Sequence, residues 1–494
     1  MTPPCSVCLC TPEAVPYAKT GGLGDVCGAL PPALAELGCD VRLVLPAYRS
    51  IDRAAFQFRA IGAAEVPVGA SRTEVHWLES RLPGTAIPVY LVAEEASFDR
   101  PGLYGEDDVD YPDNLRRFTV FGRGALALLR RLGWSPDVLH CHDWETALLP
   151  VWLGVEPRDA VVARTATLMT IHNLAYQGVF PRDQLPVTGL PLGLFTPGGI
   201  EFYGRINLLK GGLIASDLLS TVSEQYAREI QTEEFGYGLQ GVLRDRAADL
   251  VGIPNGADYA VWDPSRDPLL PARYTRDDLA GKAVCKAHLQ RTLGLGVDAG
   301  APLLGLVSRL VDQKGLDLVA AAADALLGLG AQLVVLGVGD PRYHALFEAF
   351  CRRHPERAAF RLGFDDGLAH LIEAGADIYL MPSRFEPSGL NQLYSLRYGT
   401  VPVVRRTGGL ADTIVDATPE AVARGEANGF VFDAYTPAAF LDAARRAVFA
   451  RREPALWRRL QRVGMGQDFS WNRAAAKYLA AYRRAVAARR AAIH

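Results

Sequence analysis

At 494 residues the chain exceeds what one ordinary core supports, so two or three domains are expected. A composition 49% hydrophobic and 22% charged is that of a globular protein, and a net charge of −3 gives no electrostatic case for a nucleic-acid partner. No apolar run reaches the ~18 residues that a membrane span needs.

In chain order, Met1-Thr2-Pro3-Pro4 carries no basic region and a strand-like run begins at once at Cys5. No signal or transit peptide is expected, and the expected location is cytoplasmic. Cys5, Cys8 and Cys10 fall within one short strand, and no second cysteine pair at zinc-site spacing follows; core packing is expected of them. The eight scattered cysteines suit reduced thiols.

Apolar runs at 41–45, 88–92, 138–141, 166–171 and 218–222 alternate with helical patterns such as 115–132. A second series lies at 303–307, 332–337, 376–381 and 401–404, with a helical pattern at 316–329. Strand and helix in alternation predict parallel sheets with helices on both faces, and two series predict two doubly wound, Rossmann-like α/β domains. Gly252-Ile253-Pro254-Asn255-Gly256-Ala257-Asp258 is rich in turn formers, and Asp263-Pro264 follows soon after. The expected division is therefore 1–252, 253–470 and a closing helix, 471–494. Ligands of open α/β sheets bind beyond the carboxyl ends of the strands. Two such domains facing a central cleft are expected.

One short motif occurs twice: Lys19-Thr20-Gly21-Gly22-Leu23-Gly24-Asp25 and Arg406-Thr407-Gly408-Gly409-Leu410-Ala411-Asp412. Gly-rich turns from strand to helix let backbone N–H groups approach an anion, and the helix N-terminus adds positive potential. A phosphate-bearing ligand is expected. Arg309 and Lys314 lie in another strand-to-helix loop, Ser308-Arg309-Leu310-Val311-Asp312-Gln313-Lys314-Gly315. They offer a rigid fork and a mobile point charge to phosphate oxygens. Glu386 stands in Pro382-Ser383-Arg384-Phe385-Glu386-Pro387-Ser388-Gly389-Leu390, where the N–H groups of Gly389 and Leu390 at a helix start suit phosphate. His140, His142 and Asp143-Trp144, then His172-Asn173, also follow strands. Their donors and acceptors fit a hydroxyl-rich substrate better than a metal, since no full ligand set is nearby in sequence. Asp108-Val109-Asp110 has the form of a metal-holding Asp-x-Asp but reads as an exposed loop.

Taken together, the segments 19–26, 98–105, 111–114, 142–144, 171–178, 207–213, 255–258, 308–315, 382–390 and 398–413 closely resemble those of bacterial glycogen synthases and plant starch synthases. The likeness runs over nearly the whole chain. It implies a GT-B fold, with the closing helix packed on the N-terminal domain, an acceptor-side first domain and a nucleotide-sugar-side second domain. The implied reaction is transfer of glucose from ADP-glucose to the non-reducing end of an α-1,4-glucan, with retention of configuration.

The resemblance also implies roles. Lys19, Gly21, Gly22, Asp25, Asn255, Gln313, Phe364, Gly389 and Leu390 would bind the donor. Glu386, His172, Arg309, Lys314 and Asp143 would form the catalytic set, and Trp144, Tyr104 and Asn114 would meet the acceptor. Neither metal nor cofactor is implied; the partners are ADP-glucose and glycogen, with no nucleic acid and no membrane. Ser388 stands where many members have cysteine, Phe364 where many have an adenine-stacking tyrosine, and Cys285-Lys286 where Asn-Lys is usual. Other readings are a transferase using UDP-glucose or a short maltodextrin, an inactive glucan-binding relative, and a dinucleotide-dependent dehydrogenase. The last lacks Gly-x-Gly-x-x-Gly at its first turn.

Overall fold

The structure, a computed structural model, describes residues 5–106 and 109–493. Met1 to Pro4 and Asp108 lie outside the described residues, so the readings made at those positions have no structural counterpart. The chain divides into two compact units, Met1–Gly256 with Trp471–His494, and Ala257–Ser470. The division falls a few residues beyond Gly252, because Ile253 N–H still bonds Thr221 O at the edge of the first sheet. Asn255 consequently belongs to the first unit.

The first unit is built on a nine-stranded sheet. Its order is Leu250–Gly252, Leu218–Thr221, Ala166–Ile171, Val138–His142, Ser6–Cys10, Asp40–Pro46, Pro88–Ala93, Ser71–Arg81 and Arg59–Val68. The first seven are parallel and the last two join antiparallel. Val138–His142 and Ala166–Ile171 are buried along their whole length, as strands covered on both faces must be. The antiparallel hairpin departs from the all-parallel expectation. Its strands are not apolar runs; they alternate, with Val66, Val68, Val75 and Trp77 inward and charged residues outward, as in a half-exposed sheet edge.

Between Ser6–Cys10 and Val138–His142 the direction of winding reverses. That is a topological switch point, where strand-end loops part and leave room for a ligand. The helix Trp471–Ile493 packs on Gly22–Glu36 and on the strands Ala166–Ile171 and Val138–His142. It buries Trp471, Ala474, Ala475, Tyr478, Leu479, Tyr482 and Ala485 and leaves Arg483, Arg484 and Arg490 outward. Among the described residues no helix is long and apolar enough to cross a membrane.

The second unit holds a six-stranded parallel sheet in the order Ala358–Leu362, Gln332–Gly337, Leu303–Val307, Ile378–Met381, Val401–Arg405, Phe430–Phe432. Numbered along the chain this is 3-2-1-4-5-6, the dinucleotide-fold order, with its switch point between Leu303–Val307 and Ile378–Met381. The helices Leu316–Gly328 and Pro437–Arg451 pack together, as do Ala280–Thr292 and Asp366–Gly375, and separate apolar cores result. Lys286 lies in the latter pair. Its Nζ is 2.7 Å from Asp377 and bonds the Ala299 and Ala301 carbonyls, while Arg451 takes the other Asp377 oxygen at 2.8 Å. The Lys286 position is thus a buried, fully paired charge cluster.

Candidate active site

In the first unit Lys19, Gly21, Gly22, Asp25, Asp143, Trp144 and His172 follow the two strands of the switch point and the next strand, Ala166–Ile171. Lys19, Gly21, Gly22 and Asp25 form the turn into the helix Gly22–Glu36. Gly21 is extended, a conformation open to any residue, and a Cβ at Gly21 or Gly22 would meet open space. The glycines that internal packing demands are Gly24 and Gly28, whose Cβ atoms would stand 3.2 Å from Ala18 O and 2.5 Å from Val15 O. The first pair therefore keeps a surface clear for close approach.

The N–H groups of this turn already hold an anion, and it is the chain's own. Glu13 accepts from Thr20 N–H at 2.6 Å, Gly21 N–H at 3.2 Å and the Thr20 hydroxyl at 2.6 Å. The Tyr104 hydroxyl donates to the same carboxylate at 2.7 Å. Lys19 meets Asp25 at 2.7 Å, and burial raises the Asp25 carboxyl while the lysine pulls it back. Glu13 escaped the sequence reading because a lone carboxylate in a loop has no periodic signal. Its only mark is its place, just past the carboxyl end of the first strand.

Asp143 follows Val138–His142 with φ 55°, a left-handed conformation that is costly outside glycine. It is held there by Asp143 N–H donating to Thr170 O and by His172 N–H donating to its carboxylate at 2.7 Å. Burial pushes its carboxyl upward, and the charge of Glu13 adds to that. Glu145, also missed, is buried alongside with its own carboxyl pushed up by burial and by Asp143.

His172 and His142 share a 2.9 Å hydrogen bond, and burial pushes His172 down to about 3, so the imidazole is neutral at physiological pH. His142 Nε2 is buried with no partner among the described residues. An unpaired N–H costs more than an unpaired lone pair. The assigned tautomer therefore has His142 donating from Nδ1 and His172 accepting at Nε2, which leaves the His172 proton on Nδ1. His140 is buried against the C-terminal helix, where its Nδ1 meets the Tyr482 hydroxyl at 3.0 Å and its Nε2 meets Thr170 at 2.6 Å. His140 is a packing residue of the core. Among the described residues no His/Cys/Asp/Glu group has the form of a metal site.

Trp144 packs edge-on to Phe118 at 5.0 Å and over Gly178, where a Cβ would lie 2.4 Å from the indole. Asn255 is buried, and its Oδ1 has no partner among the described residues, so an acceptor stands ready for a ligand hydroxyl. Asn114 is different. It is buried, its Nδ2 donates to Tyr104 O at 2.8 Å, and its Oδ1 accepts from Arg117 at 2.7 Å. With one bond at each polar end, Asn114 orders the Tyr104 loop.

In the second unit Arg309, Gln313, Lys314, Glu386, Gly389 and Leu390 also follow the strands of the switch point. Lys314 follows Leu303–Val307 and Glu386 follows Ile378–Met381; they meet at 2.7 Å, with Glu386 buried. Ser383 donates to the same carboxylate oxygen at 3.0 Å. Gln313 braces the loop, its carbonyl accepting from Arg384 N–H and its amide donating to Phe385 O. Arg309 is exposed and forms no ion pair among the described residues, which leaves a cation available.

The second Gly-Gly turn does not act as an open anion seat. A Cβ on Gly408 would stand 1.9 Å from Glu386 O, and one on Gly409 1.9 Å from Ser388 O. Gly409 N–H donates to the Glu386 carbonyl. These glycines exist so that the Glu386 loop can lie against them, and Arg406 is taken up by Asp433 at 2.6 Å. The helix after Glu386 begins at Asn391, with Leu390 as its N-cap and Gly389 at φ 68°. Among the described residues no acceptor meets the N–H of Gly389 or Leu390. Phe364, after Ala358–Leu362, is 87% exposed, a free aromatic face.

Comparison with known proteins follows the same division. A family model for the starch synthase catalytic domain matches residues 6–245, and one for glycosyl transferases group 1 matches 294–458. The glycogen synthase of Syntrophotalea carbinolica is 48% identical over 486 residues, covering 97% of this chain and 99% of its own. That of Anaeromyxobacter dehalogenans is 52% identical over 481 residues, covering 95% and 98%. Among solved structures, the catalytic domain of starch synthase IV from Arabidopsis thaliana, bound to ADP and acarbose, superposes with a TM-score of 0.89 at 34% identity, covering 98% of this chain and 99% of its own. The sucrose-phosphate synthase of Thermosynechococcus elongatus, at 16% identity and a TM-score of 0.61, shares the fold. Two Rossmann-like units of GT-B type, candidate residues at both switch points and full-length similarity agree: the chain belongs to the glycogen and starch synthase family of glycosyltransferases.

Proposed function

We propose that the chain transfers glucose from ADP-glucose to the non-reducing end of an α-1,4-glucan, with retention of configuration, in the cytoplasm and without a resident metal or cofactor. The observation that carries this reading is the Lys314–Glu386 pair at the second switch point. It sets a cation for a departing diphosphate beside a buried carboxylate able to hold sugar hydroxyls. The names of the relatives support the glucan product, and the ADP in the starch synthase IV structure supports the adenine nucleotide.

On this reading Arg309, Lys314 and the N–H groups of Gly389 and Leu390 take the charge that grows on the leaving diphosphate. Phe364 stacks on the base, which needs only the ring. Lys19, Asp25 and the clear surface at Gly21 and Gly22 meet the phosphates and glucosyl group, and Asn255 and His172 orient the glucose. Asp143 fixes His172 through its backbone, and Trp144 and Tyr104 border the acceptor. The bond from the anomeric carbon to the phosphate oxygen breaks as the acceptor oxygen bonds the same face. The acceptor's proton passes to the departing diphosphate. Glu386 balances positive charge on the sugar and forms no covalent bond to it.

The test is nucleotide release by the purified chain with glycogen primer, comparing ADP-glucose with UDP-glucose. Glycogen-dependent release well ahead from ADP-glucose is expected. Equal or faster release from UDP-glucose, or none that depends on glycogen, overturns the reading.

A further inference from the structure

The strands Val138–His142 and Ala166–Ile171 run parallel, with His140 opposite Leu168 and His142 opposite Thr170. Residues two apart in a strand share a face, so His140 and His142 lie together with Thr170, and His172 follows two residues on. The three histidines are buried and differ in how their nitrogens are served. His140 is bounded by hydroxyls, Tyr482 at Nδ1 and Thr170 at Nε2. A hydroxyl turns to donate or to accept, so neither neighbour dictates the tautomer of His140. His142 pairs instead with another imidazole, its Nδ1 standing 2.9 Å from His172 Nε2. Its ring lies against that of His140, with centroids 4.0 Å apart.

Burial holds all three rings below their ordinary range, so each is neutral and carries one proton at physiological pH. Between two neutral imidazoles one nitrogen donates and the other accepts, and the tautomer of either ring then fixes that of its partner. With His142 Nε2 buried as a bare lone pair, His142 is the donor and His172 carries its proton on Nδ1. His142 is fully buried, whereas His172 keeps 8% of its surface exposed, and its Nδ1 has no partner among the described residues. Asp143 grips the same residue from the main chain, accepting His172 N–H at 2.7 Å. Consecutive residues thus hold His172 by its ring and by its backbone.

We propose that His142 is a positioning residue: by donating to His172 Nε2 it fixes the His172 ring and tautomer, so that Nδ1 presents an N–H to a hydroxyl of the donor sugar. The proposal rests on the role given to His172 above. Without the His142 donor the imidazole is free to turn or to carry its proton on Nε2, and the hydroxyl then meets a lone pair where it needs a donor. His142 itself is sealed and reaches no substrate.

Two substitutions separate positioning from packing. His142→Leu keeps bulk in the core and removes the ring donor together with the unpaired Nε2. His142→Asn sets an amide N–H where Nδ1–H stands, since both nitrogens are bonded to Cγ, but it leaves a void and an unpaired carbonyl oxygen. Stability should therefore rank Leu above Asn, and turnover of ADP-glucose with glycogen primer should rank them in reverse. In His142→Leu kcat is expected to fall about 10–100-fold, the range found when the group that orients a ligating imidazole is lost. His142→Asn should stay near the wild-type rate at a lower Tm. ADP affinity, which involves no glucose, should be unchanged in both. Turnover that follows Tm, with Leu the more active, makes His142 a packing residue and overturns the proposal. Long-range nitrogen–proton NMR spectra of the full chain labelled at histidine, with His172→Gln to identify the ring, read the tautomer without any substrate. A neutral His172 protonated on Nδ1 is expected; a proton on Nε2, or a charged ring, also overturns the proposal. If the expected tautomer is seen and is lost in His142→Leu, in a chain that uses no ADP-glucose, the hold of His142 on His172 stands and the donor reading falls.

Discussion

Glu386 and Glu13 are carboxylates doing opposite work. Glu386 is buried and shared between Lys314 and Ser383. Glu386→Gln keeps its shape and removes its charge. Turnover should fall about 10²–10³-fold, the usual cost of one preorganised charge contact, with ADP affinity nearly unchanged; steady-state rates and calorimetric ADP binding check both halves. Glu13 fastens the Lys19 turn through three contacts and Tyr104 through a fourth. Charge-assisted hydrogen bonds are worth about 1.5–3 kcal/mol each. In Glu13→Gln one amide end must face a donor, so the turn loosens. The expected result is a donor KM raised about tenfold with kcat changed less; loss of kcat at constant KM would assign Glu13 a different role. The strand-end placement of Glu386, Lys314, Asp143 and His172 was legible in the sequence because each lies in a loop that follows an apolar strand. Glu13 was not, and neither were the bonds that tie Asn114 to Tyr104 and Arg117, because nothing in a sequence says which loop groups meet.

At the scale of elements, the fully buried parallel strands were legible as apolar runs. The hairpin Arg59–Val68 and Ser71–Arg81 was not, since its one covered face leaves only alternation. The C-terminal helix meets the strand Val138–His142 through Tyr482 and His140. Burial holds His140 well below its ordinary range, with the neighbouring His172 adding to the shift. The unfolded chain takes up a proton there at about pH 6.5 and the folded chain does not. The folded pKa is depressed, so His140 stabilises the fold above pH 6.5, and that contribution is lost as pH falls below it. His140→Gln should therefore flatten the fall in stability between pH 6.5 and 5 by about 1.4 kcal/mol per pH unit. Denaturant midpoints of wild type and variant at pH 7.0, 6.0 and 5.0 measure this. Asp143 and Glu145, whose raised carboxyls act in the opposite sense, are common to both and cancel in the comparison.

For the whole molecule, every cysteine is a free thiol and all but Cys351 are buried. Burial raises the Cys351 thiol to about 11, so even this one carries little thiolate at neutral pH. With Ser388 in the Glu386 loop, no cysteine stands among the candidate residues. A thiol reagent on the native chain should label Cys351 first and slowly, leave activity intact, and reach the remaining thiols only in denaturant. Rapid inactivation by labelling of a buried cysteine would contradict this.

The helix Trp471–Ile493 completes a unit whose other residues end at Gly256. On a ribosome those two parts are made far apart in time. At 5–20 residues per second the second unit takes roughly 10–40 s to emerge between them. During that interval the strands Val138–His142 and Ala166–Ile171 lack the helix that packs on them, and the Tyr482 hydroxyl that pairs with His140 has not been made. The second unit, by contrast, is continuous and has its whole chain before the last helix appears. Assembly thus runs against the direction of synthesis, and the first unit reaches its final form last. A chain that stops short of Trp471 would carry every candidate residue of the site and still lack the cover under which His140 is kept neutral.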